Sequence, residues 1–269
     1  MIFAARQART ANRFAPTQTR RTAAQAWVFG RYSPSMQTWI DSYRSSYAVG
    51  STVPTVSDCS GKYRTIAQAN AAKQPAIEIR NGIKSFRFVD DCLQTSVLTL
   101  GGKQVSLLVV MANVVAVANA IIAEAGPTIV GTLDSIVFAR QDALANNFAS
   151  AFFAPIFPGP GTGLWYYRTT SAYATWVNAM IMADKSLPAA GEIVGYMNNQ
   201  TPATATTPFE SNNTFGNYIW NIGSRNNALS GKTDGCIAEL VVFNRTFNAY
   251  ERTDLYRSMQ EIVGLAWTS

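Results

Sequence analysis

Histidine is absent from the sequence, and its absence limits the chemistry that the chain can perform. Without histidine there is no Ser-His-Asp or Cys-His nucleophile, no imidazole metal ligand and no ordinary acid–base group near neutral pH. Residues 159–163, GPGTG, do not form a phosphate loop, because the required Lys and Ser or Thr do not follow. The spacing of the three cysteines, Cys59, Cys92 and Cys236, does not match a zinc finger.

Carboxylates are the remaining groups that could catalyse a reaction, and glycoside hydrolysis is the reaction they would suit. That chemistry needs two carboxylates within several ångströms of each other. Alternate residues of a strand share a face, so a motif such as E-x-D-x-x-E is expected, and the sequence lacks it. Asp234 and Glu239 are expected on opposite faces of a regular strand. We therefore predict that the chain is not an enzyme.

Asp90 and Asp91 form the only adjacent acidic pair in the sequence. Adjacent residues of a strand point to opposite faces, so we predict a solvated pair in a loop. Calcium binding through their oxygen atoms is the alternative, which makes Asp90 and Asp91 the candidate metal ligands. No other cofactor is expected.

An aromatic cluster follows a Pro/Gly-rich break at residues 153–163. Aromatic rings on a concave sheet can stack on sugars, but the segment also alternates like a strand, and core packing is the favoured interpretation. The candidate ligand-binding residues are Trp165, Tyr166, Tyr167 and Trp176.

Positive charge is concentrated near the N-terminus. The formal net charge is +6, and six arginines precede the first acidic residue, Asp41, so the rest of the chain is close to neutral. Such an arm suits nucleic acid or an acidic protein groove. It contains no lysine and no nucleic-acid reading module, so we predict docking on a partner protein rather than on nucleic acid. The predicted docking residues are Arg6, Arg9, Arg13, Phe14, Arg20, Arg21, Trp27 and Phe29.

Short apolar runs separated by turn residues predict many β-strands. The candidate strands are residues 35–43, 76–79, 84–89, 105–114, 128–139, 176–184, 192–197, 217–224 and 236–243. Convincing helical periodicity lies only at the C-terminus, where Asn248 and Glu251 have capping-box spacing and Gly264 can end the helix. Residues 65–72 could add one helical turn. The pattern predicts an all-β antiparallel sandwich or jelly roll over residues 35–269, with a short C-terminal helix and an extended basic arm over residues 1–34.

Residues 105–123 carry no charged side chain, which makes a membrane helix an alternative. Ser106, Asn113 and Asn119 interrupt the apolar run, so we favour a buried strand followed by a second strand or a short helix. The prediction for the whole chain is no membrane association.

The cysteine pattern bears on the compartment in which the chain folds. An odd number of widely spaced cysteines is not a disulfide framework, so free thiols and a reducing cytoplasm are favoured; whether Cys59 and Cys92 pair is left open. The first ten residues contain too short an apolar stretch for a signal peptide. N-glycosylation patterns at Asn199, Asn212 and Asn244 matter only in a secretory pathway.

Several weak motifs in a fixed order resemble the concanavalin A-like lectin/glucanase superfamily, particularly laminin-G-like jelly rolls. The C-terminal pattern consists of Gly235, Glu239, Val241, Val242, Phe243, Asn244, Arg245, Glu251, Gly264 and Leu265. Upstream, the matching segments are residues 39–42, 58–61, 75, 81–82, 86–93 and 219–223. The similarity runs over residues 36–267 and fits poorly over 125–195. It implies a glycan-binding or adhesive role in a secreted protein or a phage virion, and the catalytic carboxylate motif of the glucanases is not matched.

Together these features predict a bacteriophage virion protein made in the host cytoplasm, either a capsid decoration or a tail or fibre component. Its arm would dock on a capsid or tail partner, and its jelly roll would oligomerise and could bind cell-surface glycans. Removing residues 1–31 is then expected to leave a folded domain. The alternatives are a glycan-active enzyme that uses Asp41 or Asp58, and a secreted lectin.

Overall fold

The computed structural model describes residues 18–113, 120–125, 136–141, 149–153, 167–170, 176–198, 203–204, 214–224 and 232–265. In chain order its strands are β1 (Met36–Asp41), β2 (Thr55–Ser57), β3 (Thr65–Ala67), β4 (Ala76–Arg80), β5 (Ile83–Val89), β6 (Leu93–Thr95), β7 (Gln104–Asn113), β8 (Ala120–Ala125), β9 (Ile136–Gln141), β10 (Ala149–Phe153), β11 (Tyr167–Thr170), β12 (Trp176–Asp184), β13 (Ile193–Met197), β14 (Ala203–Thr204), β15 (Trp220–Ile222) and β16 (Asp234–Phe243). The helices are α1 (Gln18–Tyr32), α2 (Ala189–Glu192) and α3 (Ala249–Val263). Two short 3-10 turns lie at Ser42–Arg44 and Ala71–Lys73.

The strands form two antiparallel sheets. Sheet A has the order β14-β13-β12-β7-β16-β5-β4, and β1 pairs with the end of β16 beyond β5. Sheet B has the order β11-β10-β9-β8-β15-β6-β3-β2. The predicted antiparallel β-sandwich is confirmed by this arrangement.

Sheet A is buried on both faces, which explains the nearly unbroken apolar sequences of its central strands. One face, with Leu107, Val109 and Val242, packs against sheet B in the inner core. The other face, with Leu108 and Val241, packs against α1 and α3 in an outer core. The helices therefore form a third layer on the sandwich.

Helix α1 occupies part of the segment that the sequence predicts to be an extended arm. Its buried residues, Ala24, Gln25, Val28 and Tyr32, recur at helical spacing and share one face. Val28 and Tyr32 belong to the outer core, and α1 contacts α3. The weak amphipathic pattern was masked by the many arginines, so residues 18–32 are part of the folded unit. Residues 1–17 lie outside the described residues.

The C-terminal helix confirms its sequence signals in detail. The Asn248 side chain accepts a hydrogen bond from the Glu251 amide at 3.0 Å, and the Glu251 carboxylate accepts one from the Asn248 amide at 3.1 Å. These bonds satisfy two amides that the first turn leaves without helical partners. At the other end, Gly264 adopts a left-handed conformation with φ of 77°.

Each candidate strand of the sequence overlaps an observed strand, but short polar strands were missed. Residues 128–135 of one candidate lie outside the described residues. Residues 65–72, a candidate helical turn, contain β3 and the start of a 3-10 turn instead. Within residues 105–123, β7 and the start of β8 replace the alternative of a membrane helix. None of the helices in the described ranges has the length and apolar character needed to cross a membrane.

Strand β16 contains a bulge that changes where its carboxylates point. The pairing with β7 shifts between Ile237 and Glu239, which leaves Ala238 as the additional residue. Glu239 consequently joins the face that points to the helices, the face that Asp234 also occupies by alternation. The prediction of opposite faces was wrong because a bulge is not visible in the residue spacing.

Candidate functional site

A small polar pocket lies at the rim of the sandwich, between the 3-10 turn that follows β1 and the edge strand β2. We call it the rim pocket, and its volume is about 310 Å³. Its lining residues are Arg44, Ser45, Ser46, Tyr47, Thr55, Val56 and Ser57. Among the described strands, β2 pairs only with β3, so its other side is available to form this wall.

The turn that carries the pocket is fixed by local hydrogen bonds. The Asp41 carboxylate caps it by accepting a hydrogen bond from the Tyr43 amide at 2.8 Å. The Ser42 hydroxyl donates to the carbonyl of Lys84 at 2.6 Å, and Lys84 Nζ donates to the carbonyl of Ser45 at 2.7 Å. These two contacts tie the turn to β5, so one wall of the pocket is built on a rigid sheet.

Hydroxyl groups join the two walls of the pocket. The Tyr47 hydroxyl lies 3.1 Å from the Thr55 hydroxyl across the opening. The Tyr47 amide donates a hydrogen bond to the Ser45 hydroxyl oxygen at 3.4 Å. Ser46 and Ser57 are exposed, so their hydroxyls face solvent at the mouth. The pocket thus presents several groups that can both donate and accept hydrogen bonds.

Arg44 is the one charged residue that lines the pocket. Its Nε lies 3.7 Å from Asp41 Oδ2, and its guanidinium carbon lies 5.7 Å from the centre of the Trp39 ring. The side chain remains 46% exposed. Both contacts hold the guanidinium from the side of the core, which restricts the number of conformations that it can adopt in solution.

Behind Arg44, two carboxyl groups are buried next to each other. Asp41 on β1 is paired in register with Glu239 on β16, and both are buried. Burial raises the pKa of both groups, and the neighbouring Asp41 raises the pKa of Glu239 further. Trp39 Nε1 donates to Glu239 Oε2 at 2.8 Å, and Gln25 of α1 donates to Asp41. Both shifts favour keeping a proton on this pair, and we place the proton on Glu239, because its pKa is raised well above the ordinary value.

Asp58, the other carboxylate of the enzyme alternative, organises a turn. Its Oδ1 accepts hydrogen bonds from the amides of Trp39 and Ser60, each at 3.0 Å. Its Oδ2 accepts from the Ser60 hydroxyl at 2.8 Å and from the Arg64 amide at 3.2 Å. A carboxylate with this many donors joins the loop to β1 and has little capacity left for a substrate.

The candidate metal ligands, Asp90 and Asp91, have different partners. Asp90 is exposed and lies 3.0 Å from Lys232 Nζ, whereas Asp91 accepts a hydrogen bond from the Val89 amide at 2.8 Å. Among the described residues, no group of three or more His, Cys, Asp or Glu side chains could hold a metal ion. The calcium alternative therefore gains no third carboxylate or thiol ligand from this part of the chain.

Two residues of the predicted aromatic cluster, Tyr167 and Trp176, lie in different sheets. Trp176 begins β12 of sheet A, is only 3% exposed in the outer core, and donates from Nε1 to the Arg80 carbonyl at 3.2 Å. Tyr167 begins β11, at the far edge of sheet B. Trp165 and Tyr166 lie outside the described residues. Trp176 is thus a core residue, because the apparent single strand is two strands of different sheets.

The predicted docking residues divide into two groups. Arg21 belongs to the fold, because its Nε donates to the Ile262 carbonyl at 2.7 Å and its guanidinium lies 3.6 Å from the centre of the Tyr43 ring. Arg20, Trp27 and Phe29 are exposed on α1, where Trp27 is 39% and Phe29 41% exposed, and Trp27 and Phe29 lie on opposite sides of the buried stripe because they are two residues apart. Arg6, Arg9, Arg13 and Phe14 lie outside the described residues.

The rim pocket was missed by sequence reasoning, although a signal was present. The sequences SYRSSY at residues 42–47 and TVS at residues 55–57 are dense in hydroxyl side chains. Their composition resembles that of any polar loop, and their approach depends on the pairing of β1 with β16 and of β2 with β3. Residue spacing alone does not specify either pairing.

Comparison with known proteins identifies the class of fold. No protein-family model and no curated protein matches the chain. Among solved structures, one of botulinum neurotoxin type C, concerned with its interaction with two ganglioside molecules, superposes with a TM-score of 0.57 at 9% identity over 86% of this chain and 53% of that chain. The chain therefore spans about half the length of that toxin structure.

Two further solved structures are similar. A Trypanosoma rangeli sialidase has a TM-score of 0.55 at 12% identity, over 85% of this chain and 33% of that chain. Domain 4 of AbnA, a GH43 extracellular arabinanase from Geobacillus stearothermophilus in complex with arabinotriose, has a TM-score of 0.56 at 14% identity, over 82% of this chain and 98% of that domain. At these identities the likeness shows the fold alone, and it agrees with the predicted antiparallel β-sandwich.

Proposed function

We propose that this protein is a non-enzymatic carbohydrate-binding β-sandwich and that the rim pocket is its binding site. The observation that carries the proposal is the pocket itself, with hydroxyl groups on two walls and an aromatic ring, that of Tyr47, in its lining. Sugar hydroxyls need partners that both donate and accept, and serine, threonine and tyrosine hydroxyls do both. Similar folds include an arabinanase domain in complex with arabinotriose.

The size and position of the pocket fit a short saccharide. A volume of about 310 Å³ is at the lower end of the range for small-molecule sites, which suits one sugar unit with the remaining units outside. The pocket lies at the edge of the sandwich, where a longer glycan can extend into solvent. Its walls are tied to β5 and β3, so binding requires little reorganisation.

Two features support a binding role rather than catalysis. Asp41 and Glu239 lie side by side, as a catalytic pair would, but both are buried beneath α1 and hydrogen-bond to Gln25 and Trp39 instead of facing solvent. Asp58 is occupied by its turn. If the enzyme alternative held, the full chain would release reducing sugar from a glycan, and Asp58→Asn would abolish that release.

The exposed face of α1 supports docking on a partner protein within a phage virion. The Phe29 ring lies against Gly61, in the same loop as Tyr63, which is 93% exposed. Tyr63 also has a φ of 53°, an unusual backbone conformation for a bulky residue. Exposed aromatic residues on a rigid helix and loop are typical anchors of protein interfaces. We infer that the surface formed by Phe29 and Tyr63 contacts a capsid or tail protein, or a second copy of the chain.

Glycan binding is tested with the full chain on an array of neutral and acidic oligosaccharides, followed by calorimetry on the best ligand. Thr55→Val and Tyr47→Phe each remove one pocket hydroxyl and are expected to weaken binding by about two- to tenfold, the effect of losing one hydrogen bond. Thr253→Val, which removes a hydroxyl from α3, is the matched control. Binding to no glycan would refute the proposal.

The docking role needs a different test, since α1 belongs to the outer core and its removal would damage the fold. Phe29→Ser combined with Tyr63→Ser changes two exposed side chains of this surface and is expected to reduce incorporation into particles. Tyr250→Ser, at an exposed tyrosine of α3, is the control. Normal incorporation of the double variant would refute this docking face, and absence of the wild-type chain from purified particles would refute the virion role.

A further inference from the structure

The lining of the rim pocket contains one cation and no acidic residue. A site for neutral sugars has no need of a half-exposed guanidinium at its mouth, because hydroxyl and amide groups satisfy neutral hydroxyls. We propose that the pocket recognises a sugar that carries a carboxylate, and that Arg44 pairs with that carboxylate. This inference rests on the proposed carbohydrate-binding function and specifies its ligand class.

Arg44 is positioned to bind a carboxylate without first being ordered. Asp41 approaches the guanidinium at Nε, at 3.7 Å, and the Trp39 ring lies on its side at 5.7 Å. Within the described part of the chain, no hydrogen bond engages the two terminal nitrogens. These nitrogens form the planar fork that binds a carboxylate through two parallel hydrogen bonds.

The surroundings of Arg44 leave it with a surplus of positive charge. Asp41 is the nearest carboxylate, and it interacts electrostatically with Lys84 as well as with Arg44. Glu239 is buried and its pKa is raised well above the ordinary value, which disfavours a second negative charge behind Arg44. Asp41 is thus shared between Arg44 and Lys84, and the solvent side of Arg44 is a favourable place for a further anion.

The hydroxyl walls distinguish an acidic sugar from a simple anion. The linked hydroxyls of Tyr47 and Thr55, together with Ser45, lie on the walls beside Arg44 in the same pocket. A carboxylate held by Arg44 would place the ring hydroxyls of its own sugar against these groups. Uronic acids and sialic acids both have this combination of one carboxylate and several neighbouring hydroxyls.

The inference is tested by calorimetry on the full chain with matched ligands. A glucuronic acid-terminated oligosaccharide is compared with its methyl ester and with its glucose counterpart. Sialyllactose is compared with lactose. At least one acid is expected to bind about tenfold or more tightly than its neutral counterpart, because a charge-assisted pair is stronger than a neutral hydrogen bond. The preference should decrease as salt is raised. Comparing the affinities for the glucuronic acid and sialic acid ligands shows whether the pocket prefers a uronic acid or a sialic acid.

Variants assign the effect to Arg44. Arg44→Gln should remove the preference for the acid, and Arg44→Lys should keep only part of the preference. Arg257→Gln, which removes an exposed charge from α3, is the control for net charge. Circular dichroism confirms folding of each variant.

The outcomes separate this inference from the proposed function. Equal affinities for acidic and neutral sugars, or an acid preference that survives Arg44→Gln, would overturn the role of Arg44 while carbohydrate binding stands. Binding to none of these sugars or to any other glycan would overturn both. An acid preference lost only in Arg44→Gln and not in Arg257→Gln is the result that supports the inference.

Discussion

Asp41 and Glu239 face each other across adjacent strands, buried beneath α1, although 197 residues lie between them in the chain. Two ionised carboxylates in contact repel each other and lose hydration, so the pair is most stable with one proton. Trp39 and Gln25 donate hydrogen bonds to the two groups, and Arg21 and Arg44 provide the neighbouring positive charge. The pair therefore makes stability depend on pH.

Replacing Glu239 with glutamine is expected to flatten that dependence. The pKa of Glu239 is raised well above its ordinary value of 4.5. Its contribution to folding stability is therefore complete below pH 4.5 and is lost as pH rises through the folded-state pKa. The slope from this group approaches about 1.4 kcal/mol per pH unit in that window. Glutamine mimics the protonated acid, so Glu239→Gln should match the wild type at pH 4 and exceed it at pH 8, measured by chemical denaturation.

Glu251 provides a control of opposite sign. Burial would raise its pKa, but hydrogen bonds from Arg245 and the Asn248 amide outweigh burial and lower the pKa. The contribution of Glu251 to folding stability is present above its unfolded-state pKa and is lost as pH falls. Glu251→Gln should therefore be less stable than the wild type at pH 7 and nearly as stable as the wild type at pH 3. Parallel pH profiles for the wild type and Glu239→Gln would contradict the protonated-pair assignment.

Gly223 is expected to tolerate no side chain. Its φ is +89°, and a Cβ atom at this position would overlap Cδ1 of the buried Phe88 ring. Gly223→Ala should therefore lower the free energy of unfolding by about 2–4 kcal/mol through backbone strain and overpacking. Gly30→Ala, in α1 with no atom within 4 Å of the new Cβ, should raise it by about 0.5–1 kcal/mol. Equal effects of the two substitutions would refute this account.

The capping box of α3 should contribute measurably because α3 covers the outer core. Asn248→Ala removes the acceptor for the Glu251 amide and is expected to cost about 1 kcal/mol in urea denaturation. Asn248→Asp keeps a capping oxygen and should recover most of that loss. A cost below about 0.3 kcal/mol for the alanine variant would mean that water replaces the cap.

All three cysteines should be unreactive in the folded protein. All three are buried, and burial raises the pKa of Cys59 to about 12 and also raises that of Cys236. Thiolate is the reactive form, so Ellman's reagent at pH 8 should label none of the three in native buffer and all three in denaturant. Fast labelling of one thiol under native conditions would show that its cover opens locally.

Local signals in the sequence predicted much of the fold. Branched and aromatic runs such as those of β7 and β16 indicated strands, and the Asn248, Glu251 and Gly264 signals located α3, because both depend on neighbouring residues. The helix α1 was missed, since its stabilisation comes from burial of Val28 and Tyr32 against sheet A and not from local propensity. Strands of three residues, such as β2 and β3, likewise depend on their pairing partners.

The sequence by itself determined the class of fold, the lack of histidine chemistry and the position of the C-terminal helix, because composition and short-range periodicity express these properties. Only the tertiary structure decided which side chains meet. The pairing of β1 with β16 brings Asp41 to Glu239, the bulge at Ala238 turns Glu239 toward α1, and the turn after Asp41 places Arg44 beside the hydroxyls of β2. Such contacts arise from strand register and layer packing, which join residues far apart in the chain and leave no trace in local spacing.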